Sequence, residues 1–166
     1  MIASGVVREA GASDVAGIVD LIHSAFAESA AWDRPSSALL EREDDWRDAI
    51  EADRFRVLVR VDDAGPIGVL RYQSDPDGWW SFARVAVSPV VRRRGIARGL
   101  LRALEQRANE FEAVGLRCTS RAEDGEGQRL YPACGFVEAG RSIVMRSGAE
   151  IPVVRWEKRL EMAVEK

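Results

Sequence analysis

Phe82-Ala83-Arg84-Val85-Ala86-Val87-Ser88-Pro89-Val90-Val91-Arg92-Arg93-Arg94-Gly95-Ile96-Ala97-Arg98 is the stretch around which this chain is organised. Its first six residues are a short apolar run of strand type, and Ser88-Pro89 ends it with a turn. A basic loop containing one glycine follows and runs directly into a helical pattern. Ile96, Leu100, Ala103, Leu104, Ala108 and Phe111 recur at helical spacing, with Arg98, Arg102, Glu105, Arg107 and Glu110 between them. Strand, loop and helix therefore succeed one another, with Gly95 and four arginines where the helix begins.

That arrangement suits an anion. A helix start leaves backbone N–H groups without partners and carries the positive end of the peptide dipoles. A glycine there lets a phosphate approach the backbone, and arginines add charge-assisted hydrogen bonds. Two familiar phosphate loops are excluded. No G-x-x-x-x-G-K-[ST] occurs in the chain, and G-x-G-x-x-G fails because Ala97 and Leu100 stand where its later glycines belong.

Outward from this stretch, an α/β reading of the whole chain follows. Val6 to Glu9 is a first strand. Asp14 to Ala27 is a helix capped by Ser13 or Asp14, with Val15, Ile18, Val19, Ile22 and Phe26 as its apolar stripe and His23 beside it. Glu28 to Pro35 is a loop carrying Trp32. A second, acidic helix is expected from Pro35 or Ser36 to about Ala52. Phe55–Val61, Pro66–Gln73 and Trp79–Val87 form an antiparallel meander joined by Asp62-Asp63-Ala64-Gly65 and Ser74-Asp75-Pro76-Asp77-Gly78. Gly115 is expected to cap the long helix. Leu116 to Ala122 then returns through a helical crossover, parallel to the strand ending at Val87. A short helix is expected over Gln128–Ala133, ended by Gly135. Two last strands, Phe136–Met145 and Ile151–Leu160, flank Ser147-Gly148-Ala149-Glu150.

The length of 166 residues fits one domain. The net charge of −3 argues against a nucleic-acid partner despite the local arginines. No apolar run approaches a membrane span and no N-terminal stretch resembles a signal peptide, so the expected location is cytoplasmic, without a membrane partner. Cys118 and Cys134 form no C-x-x-C, and His23 is the only histidine, so neither a disulfide framework nor a metal site is expected. Both cysteines read as core residues rather than nucleophiles.

Arg92-Arg93-Arg94-Gly95-Ile96-Ala97 reads as R-x-x-G-x-A and resembles the acetyl-CoA loop of the GNAT family of N-acetyltransferases. A second segment, Leu130-Tyr131-Pro132-Ala133-Cys134-Gly135-Phe136, resembles the L-Y-x-x-x-G-F segment of the same family, at the right place after one helix and one strand. The resemblance spans the order of elements from about Val6 to Leu160. It implies a mixed, mainly antiparallel twisted sheet of six to seven strands with about four helices, whose fourth and fifth strands splay apart. It implies acetyl-CoA as co-substrate, with the backbone of Val85, Ala86 and Val87 pairing with the pantetheine arm. The loop Arg92, Arg93, Arg94, Gly95, Ile96, Ala97 and Arg98 is then the pyrophosphate cradle. Asp124 falls near the cofactor where the family commonly has asparagine, and Gly127 where it commonly has alanine.

The implied reaction is direct attack of a primary amine, from a small molecule or a peptide, on the thioester. Tyr131 is the implied donor to the departing thiolate. An ordinary tyrosine titrates near ~10 and a thiol near ~8.5, so a hydrogen bond is easier than full proton transfer. Trp32 and His23 are the expected acceptor-side residues, by their position ahead of the cofactor motifs. No carboxylate stands at Phe82-Ala83-Arg84 or Cys118-Thr119-Ser120, so Glu123, His23 or a water chain remain open as the base. Family members are often dimeric, which makes a homodimer an expectation. The competing reading is a non-catalytic module that binds acetyl-CoA without acetylating anything.

Overall fold

The computed structural model describes residues 6–31, 35–146 and 148–161. Seven strands are present: β1 Val6–Glu9, β2 Arg56–Asp62, β3 Gly65–Ser74, β4 Trp79–Val87, β5 Gly115–Arg121, β6 Val137–Arg146 and β7 Ala149–Arg159. They hydrogen-bond in the order β1-β2-β3-β4-β5-β7-β6. Four α-helices accompany them: α1 Val15–Ala25, α2 Glu43–Glu51, α3 Ile96–Glu110 and α4 Gly125–Ala133. The chain forms two compact units, Met1–Gln73 with Arg84–Ala103, and Ser74–Ala83 with Leu104–Lys166.

In the first unit, β1, β2 and β3 pair antiparallel. Val15, Ile18, Val19 and Ile22 of α1 form one buried stripe, as their 3-4 spacing requires. They share a core with Trp46 of α2, with Val57 and Val59 of β2, and with Val69 and Ala86. The opposite face of β3 is set by Gly68. A Cβ there would lie 2.6 Å from Ile96 and 3.1 Å from Leu100, so the glycine lets the start of α3 lie directly on the strand.

The expected second helix is divided. Ser37–Leu40 is a 3₁₀ turn whose Ser36 side chain caps it, Glu41 and Arg42 are extended, and α2 begins only at Glu43. The cause is local. The Asp45 carboxylate accepts the Arg42 N–H at 2.9 Å and so starts a fresh helix there. The helix expected over Asp14–Ala27 likewise ends at Ala25 and gives way to a 3₁₀ turn over Ala27–Ala31.

In the second unit, β4 and β5 run parallel, but their ladder holds only Trp79–Gly115, Trp80–Leu116 and Ser81–Arg117. Beyond these pairs β5 stays paired along its whole length with β7, which is inserted between β5 and β6. Arg117 locks the foot of this ladder. Its guanidinium donates to Asp75 at 2.8 Å, Asp77 at 2.9 Å and Ser81 at 3.3 Å, and it holds the Asp77 carboxyl below its usual pKa.

Gly115 is not the cap of α3. Glu112 adopts the left-handed conformation there, with φ 56°, and the Ala113 N–H returns to the Ala108 carbonyl at 2.9 Å. Gly115 instead opens β5, where a Cβ would sit 2.4 Å from the Trp79 ring and 2.6 Å from the Lys158 carbonyl oxygen. Gly115→Ala is expected to cost about 1–3 kcal/mol of stability, read by chemical denaturation, because the carbonyl belongs to a paired strand and cannot swing aside. An unchanged denaturation midpoint would show that this strand junction has slack.

Candidate active site

The loop entering α3 is built from two left-handed residues. Arg93 has φ 65° and Gly95 φ 76°. Alternation of this kind turns successive backbone N–H groups toward one concave side, a geometry that binds anions. The Gly95 carbonyl accepts the first helical bond, from Gly99 at 3.0 Å, so the N–H groups of Ile96, Ala97 and Arg98 lie in the first turn without intrahelical partners. Arg93, Arg94 and Arg98 are exposed, while Ile96 is buried and anchors the turn. The Arg92 guanidinium is spent elsewhere. It donates to Glu28 at 2.9 Å and to the Ala25 carbonyl at 2.9 Å, tying the loop to the end of α1.

Upstream of the loop, β4 contains Arg84 with φ 55°. A non-glycine residue held there in a strand is uncommon and must be held by its surroundings. Its Nε donates to Glu41 Oε1 at 2.7 Å and its Nη2 to Ser37 Oγ at 3.0 Å. His23 donates from Nε2 to the Glu41 backbone carbonyl at 2.8 Å, which gives the single histidine a positioning contact.

In the second unit, α4 starts at Gly125, earlier than the expected Gln128, because the Asp124 carboxylate caps it by accepting the Glu126 and Gly127 N–H groups at 3.1 and 3.3 Å. Gly127 and Tyr131 share one face, four residues apart. A Cβ at Gly127 would be 3.2 Å from that of Ser120, so the helix lies close against β5. That approach buries Tyr131 among Phe82, Phe136 and Trp156, with ring centroids 5.7–6.0 Å away. Its hydroxyl hydrogen-bonds with the Cys118 thiol, and burial first, then Cys118, lifts its pKa well above 10.0. Burial pushes the Cys118 thiol up to about 12.

A cavity of about 360 Å³ opens where β4 and β5 part, lined by Ser81, Phe82, Arg117, Cys118, Thr119, Arg155, Trp156 and Glu157. The sequence Phe136–Met145 and Ile151–Leu160 reads as two strands without saying which one neighbours β5. The insertion of β7 puts Glu157 opposite Arg117 and into this cavity.

The family model for the acetyltransferase (GNAT) family matches residues 19–136. The chain belongs to the GNAT acetyltransferase family.

Solved GNAT-like structures agree in fold. The ribosomal-protein-alanine N-acetyltransferase of Brucella melitensis matches with a TM-score of 0.73 at 21% identity, over 93% of this chain and 99% of that one. The Salmonella typhimurium protein yncA, solved with its cofactor acetyl-CoA, matches with a TM-score of 0.74 at 18% identity, over 99% and 98%. A GNAT-family acetyltransferase of Streptococcus pneumoniae matches with a TM-score of 0.77 at 16% identity, over 95% and 100%. No curated protein sequence matches the chain.

Within the GNAT fold, the seven-stranded mixed sheet with its parallel β4–β5 pair is the one that the motifs implied. The first unit brings together Val85, Ala86, Val87, the loop Arg92–Arg98, His23 and Glu41. The second holds Tyr131, Asp124 and the cavity. Trp32 lies outside the described residues. Two residues escaped the sequence reading. Glu41 sits in what reads as an unbroken acidic helix, and Glu157 is one charged position among several on a mixed-polarity strand. The Arg42-x-x-Asp45 spacing was the available signal for the break beside Glu41, since Asp three residues after a helix start is a capping pattern. Among the described residues no helix is long and apolar enough to cross a membrane, and no cluster of three or more potential metal ligands occurs.

Proposed function

We propose that this GNAT protein transfers an acetyl group from acetyl-CoA to a primary amine of a small molecule or peptide by direct attack. The observation that carries the reading is the loop before α3. Left-handed Arg93 and Gly95, a helix start with three unspent N–H groups and exposed Arg93, Arg94 and Arg98 make a cradle for a pyrophosphate. The backbone of Val85, Ala86 and Val87 pairs with the pantetheine amides, and acetyl-CoA supplies the activated thioester. In this reading Arg92 orients the loop through Glu28 and Ala25, and Asp124 fixes the start of α4.

Tyr131 serves the leaving group as a neutral donor. Burial keeps its proton in place across the physiological range. The adjacent Cys118 shows what the same surroundings do to sulfur: its thiol is pushed up to about 12. A CoA thiol in comparable surroundings is lifted in the same direction, so its developing thiolate is a strong acceptor for the tyrosine hydrogen bond.

Glu157 is the carboxylate on the cavity wall, and its charge favours an entering ammonium group. Glu157→Gln is expected to raise the Michaelis constant for the amine about 10-fold, the loss of one charge-assisted hydrogen bond, and to leave that for acetyl-CoA unchanged. The test of the function is thiol release from acetyl-CoA across a panel of amines that includes peptides with different first residues. Binding of acetyl-CoA without thiol release for any amine would leave a binding module.

A further inference from the structure

Glu41 is separated from β4 by two strands and a helix in sequence, yet three side chains converge on its carboxylate. Arg84 Nε donates to Oε1 at 2.7 Å, Arg71 Nη1 stands 3.5 Å from the same oxygen, and Trp46 Nε1 donates to Oε2 at 3.0 Å. The Glu41 and Arg84 side chains are 14% and 15% exposed, so water competes little for this pair. Glu41 is itself fixed by the hydrogen bond from His23 to its backbone carbonyl.

The pair grips the one strained residue of β4. Arg84, with φ 55°, is the left-handed residue of β4, and it sets the orientation of the backbone that follows it from Val85 to Val87.

We propose that the Glu41–Arg84 ion pair is a positioning device: it holds Arg84 left-handed and so presents the Val85–Val87 backbone to the pantetheine arm of acetyl-CoA. Nothing local favours this conformation for an arginine, since the left-handed region penalises any Cβ. Glu41 supplies the missing restraint from a distance. Both of its carboxylate oxygens are engaged, by Arg84 and Arg71 on one and by Trp46 on the other, which suits a task of holding. The inference rests on the acetyltransferase reading for the identity of the ligand, but not for the existence of the clamp.

The experiment compares wild type, Glu41→Gln, Glu41→Ala, Arg84→Gly and the Glu41→Ala/Arg84→Gly double variant. Glycine takes the left-handed conformation at no steric cost, so it removes the need for the clamp. Calorimetry with acetyl-CoA, run well below the melting temperature of each variant, is expected to show affinity falling about 10-fold or more in Glu41→Ala, less in Glu41→Gln, and by no more than about 3-fold in Arg84→Gly and in the double variant. Residue 84 is followed separately by NMR backbone couplings and Cα shifts in the unliganded protein. Loss of the left-handed signature in Glu41→Ala, with affinity restored by glycine at 84, supports the clamp. A folded Glu41→Ala protein that keeps Arg84 left-handed overturns it, as does a loss of affinity that glycine at 84 does not relieve. If wild type binds no acetyl-CoA, the functional reading fails, and the NMR signature alone still decides whether Glu41 holds Arg84.

Discussion

Replacing Tyr131 with phenylalanine is expected to lower turnover by roughly 10²–10⁴-fold, the range for loss of a positioned proton donor. The ring stays, so the edge-on packing against Phe82 and Phe136 is kept. Only the hydroxyl and its hydrogen bond with the Cys118 thiol are lost, which costs about 1 kcal/mol of stability. Acetyl-CoA affinity should be unchanged, because the hydroxyl matters as charge develops on sulfur and not before. A fall in turnover at constant affinity marks an interaction made mainly in the transition state. The pH profile supplies a second check. The pKa of Tyr131 is raised well above 10.0, so it stays protonated and contributes no descending alkaline limb below that value. Single-turnover kinetics at saturating acetyl-CoA measure the effect. Wild-type rates in the phenylalanine variant would return Tyr131 to a purely structural role in the aromatic cluster.

Gly95→Val is expected to weaken acetyl-CoA binding on the order of 10²-fold, equivalent to losing one or two charge-assisted hydrogen bonds. The space around Gly95 does not forbid a side chain, since a Cβ there meets no atom within 4 Å. The objection is conformational. Gly95 has φ 76°, and a β-branched residue resists the left-handed region most strongly. Valine would relax toward a negative φ and turn the N–H groups away from a common centre. The fold should survive, because Ile96 and Leu100 still pack on the surface that Gly68 leaves open. Gly95→Ala should fall between glycine and valine. Calorimetry on variants with native circular dichroism decides the matter, and unchanged affinity in a folded valine protein would remove the loop from cofactor binding.

The sequence by itself determined the features that rest on neighbours in the chain. Apolar spacing from Ile96 to Ala108 defines α3, Gly95 before it marks the loop, and Leu130-Tyr131 followed by Gly135-Phe136 places a short helix that carries a tyrosine. In each, propensity, periodicity and capping act over a few residues and agree with one another. Even so, local signals can be assigned to the wrong task. Gly115 looks like a helix cap, but Glu112 takes that conformation, and the glycine is required by the close approach of Trp79 and Lys158. Only the tertiary structure decided the rest. It placed β7 between β5 and β6 and so carried Glu157 into the cavity. It divided the acidic segment and brought Glu41 to Arg84, 43 residues away. It held Arg84 left-handed in a strand whose composition gives no sign of it. The physical reason is common to all three. Strand order, ion pairing across a sheet and a strained backbone depend on partners that arrive from distant segments, and their energies enter only when the packed core brings those segments together.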